Sequence, residues 1–562
     1  MEALPNIHQC STSPSSGSEP SAPTSKRSRI VVSQSKRGCV TCKYGSSPCH
    51  APFRLTRCRT RRVKCDEQRP LCRRCVQAGR LCGGYNHESR STSALQPTLK
   101  IGVRADSDTE RLSYLAAHVL SLDNNGLPMQ QGGVWGRVFL QLSNQVECVK
   151  AAAAAFGAAY ESSLNDALVH SPYSAWRYYG TALARLQADF NNETAGPESL
   201  ALASIILACV EILSQHEQNA FAHFLGAVQI LTKTYQRHQG AGSADIYSTI
   251  KDELVNIDVL IGSYAMSQTP AFMHLESQEA AAGDDAFHEP ELAINTAMLC
   301  LHRSYQFTES AAQLRHTYPS WTEHDPIMCK GRSDAVSRCL SVLDGLTALA
   351  TRLQAQYSSA TSTVRHSEAL AEIYAIRSQL TSTLIFLMCI HSPFETMYDE
   401  HHDRFRGIVS DAAASARLRR QTKSSAFKRF SMRPGIVNPL FIVSNKCRDP
   451  PLRALATEML GEQGREGPTD GHIMAAIGAR MAALETAGIV PSSPGAPLAA
   501  CDVPEGQRIH GYGVSPPRLN GEGRRVVDVQ FTRPLVPLVQ GWGHVDYSGQ
   551  TNWIFWSECI DI

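Results

Sequence analysis

Eight of the 18 cysteines in this 562-residue chain fall between Cys39 and Cys82. No other feature limits the fold as sharply, because thiols this dense serve either as disulfides or as metal ligands. The first thirty residues are polar and lack the apolar run of a secretory leader. A reducing compartment follows, and the cluster reads as metal ligands rather than as a disulfide framework.

With residues 44–59 set aside, the spacing is regular. Cys39 and Cys42 are separated by two residues, Cys65 follows after six and Cys72 after six more. Cys72 and Cys75 are again separated by two, and Cys82 follows after six. This is C-x2-C-x6-C written twice. A C-x2-C pair places two thiolates on one turn, where both reach one ion, and a third sulfur returns after a short helix. Three thiolates are one short of the four that a closed tetrahedral zinc site takes. Two such halves meet the need by sharing two sulfurs between two zinc ions. The resulting cluster is net negative. Residues 36–85 hold thirteen Lys and Arg against only Asp66 and Glu67, which offsets that charge.

The residues CVTCK, followed by TRRVKCDEQRPLCRRCVQAGRLCGGY, resemble the zinc binuclear cluster domain of fungal transcription factors. The resemblance implies that Cys39, Cys42, Cys65, Cys72, Cys75 and Cys82 hold two zinc ions, with Cys39 and Cys72 bridging. It places Arg61 and Arg62 at the end of the first short helix, against base edges in the major groove of double-stranded DNA. Lys43, Lys64 and Arg69 would face phosphates, and Pro70 matches the proline of the loop between the halves. An arginine bonds guanine O6 and N7 together, the commonest specific major-groove contact. The other cations add sequence-independent, salt-sensitive affinity. The implied function is a nuclear, sequence-specific regulator of RNA polymerase II promoters with CGG-type sites. Family dimers set half-site spacing through the linker. Residues 86–105 carry no heptads, so a homodimer stays open.

Residues 44–59, YGSSPCHAPFRLTRCR, interrupt the first half. Removing them restores the family spacing without another change, and they keep the reading frame, as a translated intron would. The alternative is a genuine loop, in which Cys49 also stands six residues after Cys42. Lengthening the loop from six to 22 residues costs about 1 kcal/mol in closure entropy. Structural zinc contributes roughly 10–16 kcal/mol in finger peptides, so the cluster survives. The helix is more vulnerable, since Gly45, Pro48 and Pro52 break it. The chain as written is therefore expected to bind DNA less tightly than one lacking residues 44–59.

The rest of the chain reads in segments. Residues 1–35 are a disordered, basic, Ser- and Pro-rich tail, with importin-type basic residues at Lys26, Arg27 and Arg29 and, just beyond it, at Lys36 and Arg37. Residues 36–85 are the cysteine module and 86–105 a linker. Residues 106–460 are helical, and 461–562 a Gly- and Pro-rich C-terminal segment with short strands. The expected fold class is thus mostly α. Core stripes are Tyr179, Leu183, Leu186 and Phe190; Leu343, Leu346, Leu353 and Tyr357; and Ile373, Ile376, Leu380, Leu384 and Leu387. Pro197 and Glu198 start a helix that is apolar all round and hence central. Val527, Val529 and Phe531 alternate like a strand, and Trp553–Ile562 is expected to pack on the helical body rather than act as an activation segment. No membrane span is expected, because the most apolar run, Leu200–Leu213, is short and contains Glu211.

SAWRYYGTALARLQADF with ESLALASIILACVEIL, and then QHEQNAFAHFLGAVQIL, resemble the regulatory domain of fungal transcription factors. The resemblance implies autoinhibition, effector response or contact with co-regulators and the transcription machinery, often for a secondary-metabolite gene cluster. An enzyme is not expected: there is no H-E-x-x-H, P-loop or G-x-S-x-G. Glu400, His401, His402 and Asp403 read as an exposed, solvated group rather than a metal site. The rival is a regulator that acts through protein contacts alone because the insert disrupts the cysteine module.

Overall fold

A computed structural model describes residues 108–123, 134–164, 173–235, 244–264, 287–312, 325–357, 364–422, 430–492, 497–534 and 553–562, with residues 314, 315 and 322. The chain divides into a unit of residues 1–103 and a unit of residues 104–562, and all described residues belong to the second. The disordered-tail and linker expectations lie outside them.

The second unit is mostly α. Its helices are α1 (Asp108–Asp123), α2 (Phe139–Gln145, after a π-helical turn Val134–Val138), α3 (Glu147–Leu164), α4 (Tyr173–Asn191), α5 (Pro197–Leu213), α6 (Glu217–Tyr235) and α7 (Ala244–Tyr264). There follow α8 (Pro290–Ala312), α9 (Pro326–Tyr357), α10 (Val364–Cys389), a 3-10 helix Glu395–His401, α11 (His402–Thr422), α12 (Val437–Lys446), α13 (Pro450–Gly461) and α14 (Gly471–Thr486).

Helix α5 shows why the first part folds as it does. Pro197 occupies the first turn, where its missing N–H costs nothing and its fixed φ suits the helix. Every residue from Ser199 to Ile212 is buried, so α5 is the axis against which α3 and α6 pack. A core of α1, α2, α3, α5, α6 and α7 side chains forms around it, closed by Phe430 and Met432 from far down the chain. Helix α3 lies so close to α1 that a Cβ at Gly157 would sit 2.1 Å from the Leu112 carbonyl oxygen. A second core joins α8, α9 and α10, where Ile373, Ile376, Leu380, Leu384 and Leu387 are all buried.

The third core joins α10–α14 to a sheet. Here Asp449 caps α13 by accepting from Leu452 N, and Asp470 caps α14 by accepting from His472 N and Ile473 N. The sheet has β6 (Arg525–Pro534) at its centre. Strands β4 (Gly511–Val514) and β5 (Arg518–Leu519) lie antiparallel along one edge and β7 (Trp553–Asp561) along the other. The β6–β7 register runs from Val526 opposite Asp561 to Pro534 opposite Trp553. The alternation expected of Val527, Val529 and Phe531 is met, and all three enter the third core. A smaller sheet of two-residue strands, β1 (Phe430–Ser431), β2 (Arg465–Glu466) and β3 (Thr469–Asp470), ties the first core to the third. The Glu466 carboxylate accepts from the backbone N–H groups of Gly435, Ile436 and Val437, placing a negative charge at the positive end of α12.

Two local expectations fail. Phe190 is not core: it is 57% exposed, and its stripe on α4 faces an open groove. In the group Glu400–Asp403, His401 is 7% exposed; the 3-10 turn ends there, which points that ring inward while its neighbours face solvent.

Candidate functional site

Cys39, Cys42, Cys65, Cys72, Cys75 and Cys82, with Lys43, Arg61, Arg62, Lys64 and Arg69, all lie outside the described residues. Among the described residues no group of three or more His, Cys, Asp or Glu is arranged to hold a metal ion, and no helix is long and apolar enough to cross a membrane. Two polar assemblies stand out instead.

The larger is a buried ionic network in the third core. Glu395, at the start of the 3-10 turn, takes Lys446 Nζ at 2.8 Å and Arg448 Nη2 at 3.2 Å on one oxygen, and Arg315 Nη2 at 3.1 Å on the other. Glu485, on α14, takes Arg448 Nη2 at 2.8 Å and Ile509 N at 2.7 Å on one oxygen, and Arg453 Nη1 at 2.7 Å on the other. Arg508 forms a two-pronged pair with Asp399, at 2.8 and 2.6 Å. Glu505 accepts from the backbone N–H groups of Glu395 and Thr396 and meets His510 Nε2 at 2.9 Å. Burial alone would raise the carboxyl pKa values. Lys446, Arg315 and Arg448 outweigh it at Glu395, and Arg448 and Arg453 outweigh it at Glu485, so both are held below the ordinary carboxylate range. Every carboxylate oxygen of Glu395 and Glu485 is taken by a cation or a backbone N–H. The arrangement is thus a clamp between α10–α13 and the C-terminal segment.

The second assembly sits where α4, α5 and α6 meet. Glu211, 1% exposed on the otherwise apolar α5, accepts from the Tyr179 hydroxyl and from Asn219 Nδ2 at 3.3 Å, and lies 3.0 Å from His216 Nδ1. The same hydroxyl is 2.9 Å from His223 Nε2. Burial, reinforced by Glu211, pushes the Tyr179 pKa up, and burial pushes that of His223 down. Further along α4 and α6 an open groove of about 390 Å³ is lined by Leu183, Leu186, Gln187, Phe190 and Ile230. Position 211 reads in sequence only as a charge that interrupts an apolar run. Its partners on neighbouring helices carry no signal that pairs them with it.

Residues 121–465 match the family described as the fungal specific transcription factor domain. The chain belongs to that family. Its helical unit is the family's domain, and the buried network joins it to residues beyond the match, namely Glu485, Glu505, Arg508 and His510. Residues 56–92 of the regulator also match the fungal Zn(2)-Cys(6) binuclear cluster domain, so it is a zinc-cluster transcription factor. That match takes in Cys65, Cys72, Cys75 and Cys82 and leaves Cys39, Cys42 and Lys43 outside. It also takes in Cys58, which precedes Cys65 by the same six-residue interval as the repeat. The regulator is 22% identical, over 274 residues, to the aspercryptin biosynthesis cluster-specific transcription regulator of Emericella nidulans, covering 41% of each chain. It is 32% identical, over 75 residues, to an uncharacterized transcriptional regulatory protein of Schizosaccharomyces pombe, covering 13% of this chain and 11% of that one. The chain thus spans well under half the length of these curated relatives. No solved structure matches. The matched families and relatives are regulators of transcription, not enzymes.

Proposed function

We propose that this zinc-cluster regulator acts in the nucleus on RNA polymerase II promoters by reading CGG-type sites, and that its targets form a biosynthetic gene cluster. The observation that carries the reading is the doubled C-x2-C-x6-C pattern beside a basic TRRVK segment. In this proposal Cys39, Cys42, Cys65, Cys72, Cys75 and Cys82 hold two zinc ions, whose role is structural: four-sulfur coordination fixes the short helices. Arg61 and Arg62 then meet guanine edges, and Lys43, Lys64 and Arg69 meet phosphates. The biosynthetic role follows from the named function of the Emericella relative. The proposed organisation is a tail (1–35), cluster module (36–85), linker (86–105), helical regulatory domain (106–460) and C-terminal segment (461–562). Co-regulators or the transcription machinery would contact the helical domain.

The interruption at residues 44–59 favours a second reading, a regulator that works through protein contacts without binding DNA itself. Zinc per chain and selection of sites from random DNA, measured for chains with and without residues 44–59, separate the two. The proposal expects two zinc ions and CGG-type enrichment without the segment, and weaker binding with it. An insert-free chain that holds zinc but enriches no site would overturn the DNA reading.

A further inference from the structure

The second core brings two thiols together. Cys300 on α8 and Cys339 on α9 stand 39 residues apart in sequence, and their sulfurs lie 3.8 Å from each other. Ser304, one turn along α8, donates to the Cys300 carbonyl at 2.7 Å and lies 3.4 Å from Cys339 Sγ. Both cysteines are buried, Cys339 completely and Cys300 at 5% exposure, so the pair sits just under the surface. Their neighbours one turn away are small: Ala297 on α8 and Ala335 on α9 are fully buried as well. Small neighbours leave the two helices room to draw together. A disulfide takes an S–S distance of about 2.05 Å, so each sulfur has to move by roughly 0.9 Å. A modest rotation about χ1 covers that distance.

We propose that Cys300 and Cys339 form a peroxide-sensing pair, whose disulfide ties α8 to α9 and locks the second core. Cys339 is the sulfur that ionises first. The Cys300 thiol beside it and the Ser304 hydroxyl hold its pKa below the ordinary thiol value against burial, while Cys339 and burial push that of Cys300 up. The Cys339 thiolate attacks one oxygen of hydrogen peroxide. The O–O bond breaks, the other oxygen leaves as water with the proton that Cys339 gave up, and Cys339 becomes a sulfenic acid. The Cys300 sulfur then attacks Cys339 Sγ. The S–S bond forms, the S–O bond breaks, and the hydroxyl leaves as water with the Cys300 proton. Two thiols and one peroxide thus give one disulfide and two waters, and two electrons pass from sulfur to oxygen. An added dithiol reverses the step by exchange and is itself oxidised to a disulfide. The bond removes freedom from the unfolded chain, so the oxidised form resists urea better than the reduced one.

The test uses the full, zinc-loaded chain, treated with hydrogen peroxide, then unfolded, alkylated and digested with trypsin without reduction. Cys300 and Cys339 each fall on a tryptic peptide that holds no other cysteine, one ending at Arg303 and the other at Arg352. Mass spectrometry should find these two peptides joined, and separate again after dithiothreitol. The urea midpoint of wild type should rise on oxidation, and that of Cys339→Ala should not. Finding both thiols alkylated, or oxidised singly without a link, overturns the proposal. A link that leaves the wild-type midpoint unmoved overturns it as well. Should Cys339→Ala fail to fold, the peptide map and midpoint of wild type decide.

Discussion

Replacing Glu485 by alanine tests whether the buried network holds the C-terminal segment to the helical domain. Glu485 is fully buried and accepts three bonds, from Arg448, Arg453 and Ile509 N. Its loss leaves two guanidinium groups facing each other in a region without solvent. Arg448 keeps Glu395, at 3.2 Å, but Arg453 loses the one ion pair it makes among the described residues. Breaking one side of a buried pair costs about 3–5 kcal/mol, because the desolvation of the remaining charge is no longer offset. Glu485→Ala should therefore lower the unfolding free energy by about 3–5 kcal/mol. Urea unfolding, followed by the fluorescence of the C-terminal tryptophans, reads this, since Trp553 and Trp556 lie on β7, which packs against α14. Replacing Glu485, Arg448 and Arg453 together by apolar residues of similar size should recover most of the loss. A single-variant loss below about 1 kcal/mol, the range of an exposed pair, would refute the claim that these charges clamp the segment.

Acid should weaken the same clamp. Glu395 and Glu485 have folded-state pKa values below their unfolded ones. Their contribution is therefore present above the ordinary carboxylate value of about 4.3 and is lost as pH falls below it. Glu485→Gln should flatten this part of the stability-against-pH curve, measured by urea midpoints. Gly157→Ala should cost about 1–3 kcal/mol, since its Cβ would overlap the Leu112 carbonyl. Gly180→Ala, on the open face of α4 with nothing within 4 Å, should instead add about 0.5–1 kcal/mol in the same assay. Zinc analysis of the full chain should show metal loss in Cys42→Ser and retention in Cys58→Ser. The opposite pattern would move the ligand to Cys58.

How much was legible depends on whether the physics was local. Helix α5 is readable because Pro197, Glu198 and an unbroken apolar run are neighbours in sequence. The stripe Ile373 to Leu387 is readable because one face of one helix carries it. Strand β6 is readable from the alternation of Val527, Val529 and Phe531. The Tyr179 to Phe190 stripe has the same period, yet Phe190 faces a groove. Periodicity reports that a face is apolar, not that another element covers it. The network is beyond such reading altogether, because Arg315, Glu395, Arg448 and Glu485 are separated by tens of residues. A charge in sequence is solvated by default, and only the packing of α10, α12 and α14 removes the water. Glu211 illustrates this: in sequence it is a charge that breaks an apolar run, but the reason for a carboxylate there is Tyr179, His216 and Asn219.

The cysteine module poses a choice that loop length cannot make. With Cys42 as ligand, 22 residues separate it from Cys65; with Cys58 in its place, 18 residues separate Cys39 from Cys58. The closure entropies of these loops differ by only about 0.2 kcal/mol. What differs is local. Cys42 stands two residues after Cys39, a spacing that suits two sulfurs on one ion, whereas the corresponding place before Cys58 is Leu55, which offers no ligand. Cys58 in turn keeps Arg59, Arg61, Arg62 and Lys64 on one uninterrupted segment running to Cys65, beyond the reach of Gly45, Pro48 and Pro52. Metal affinity thus favours Cys42 and DNA geometry favours Cys58. With roughly 10–16 kcal/mol in structural zinc binding against about 1–3 kcal/mol for one base contact, metal affinity should decide. The Arg61–Arg62 segment then bears the consequence, and this is why removing residues 44–59 should tighten DNA binding while leaving the zinc count unchanged.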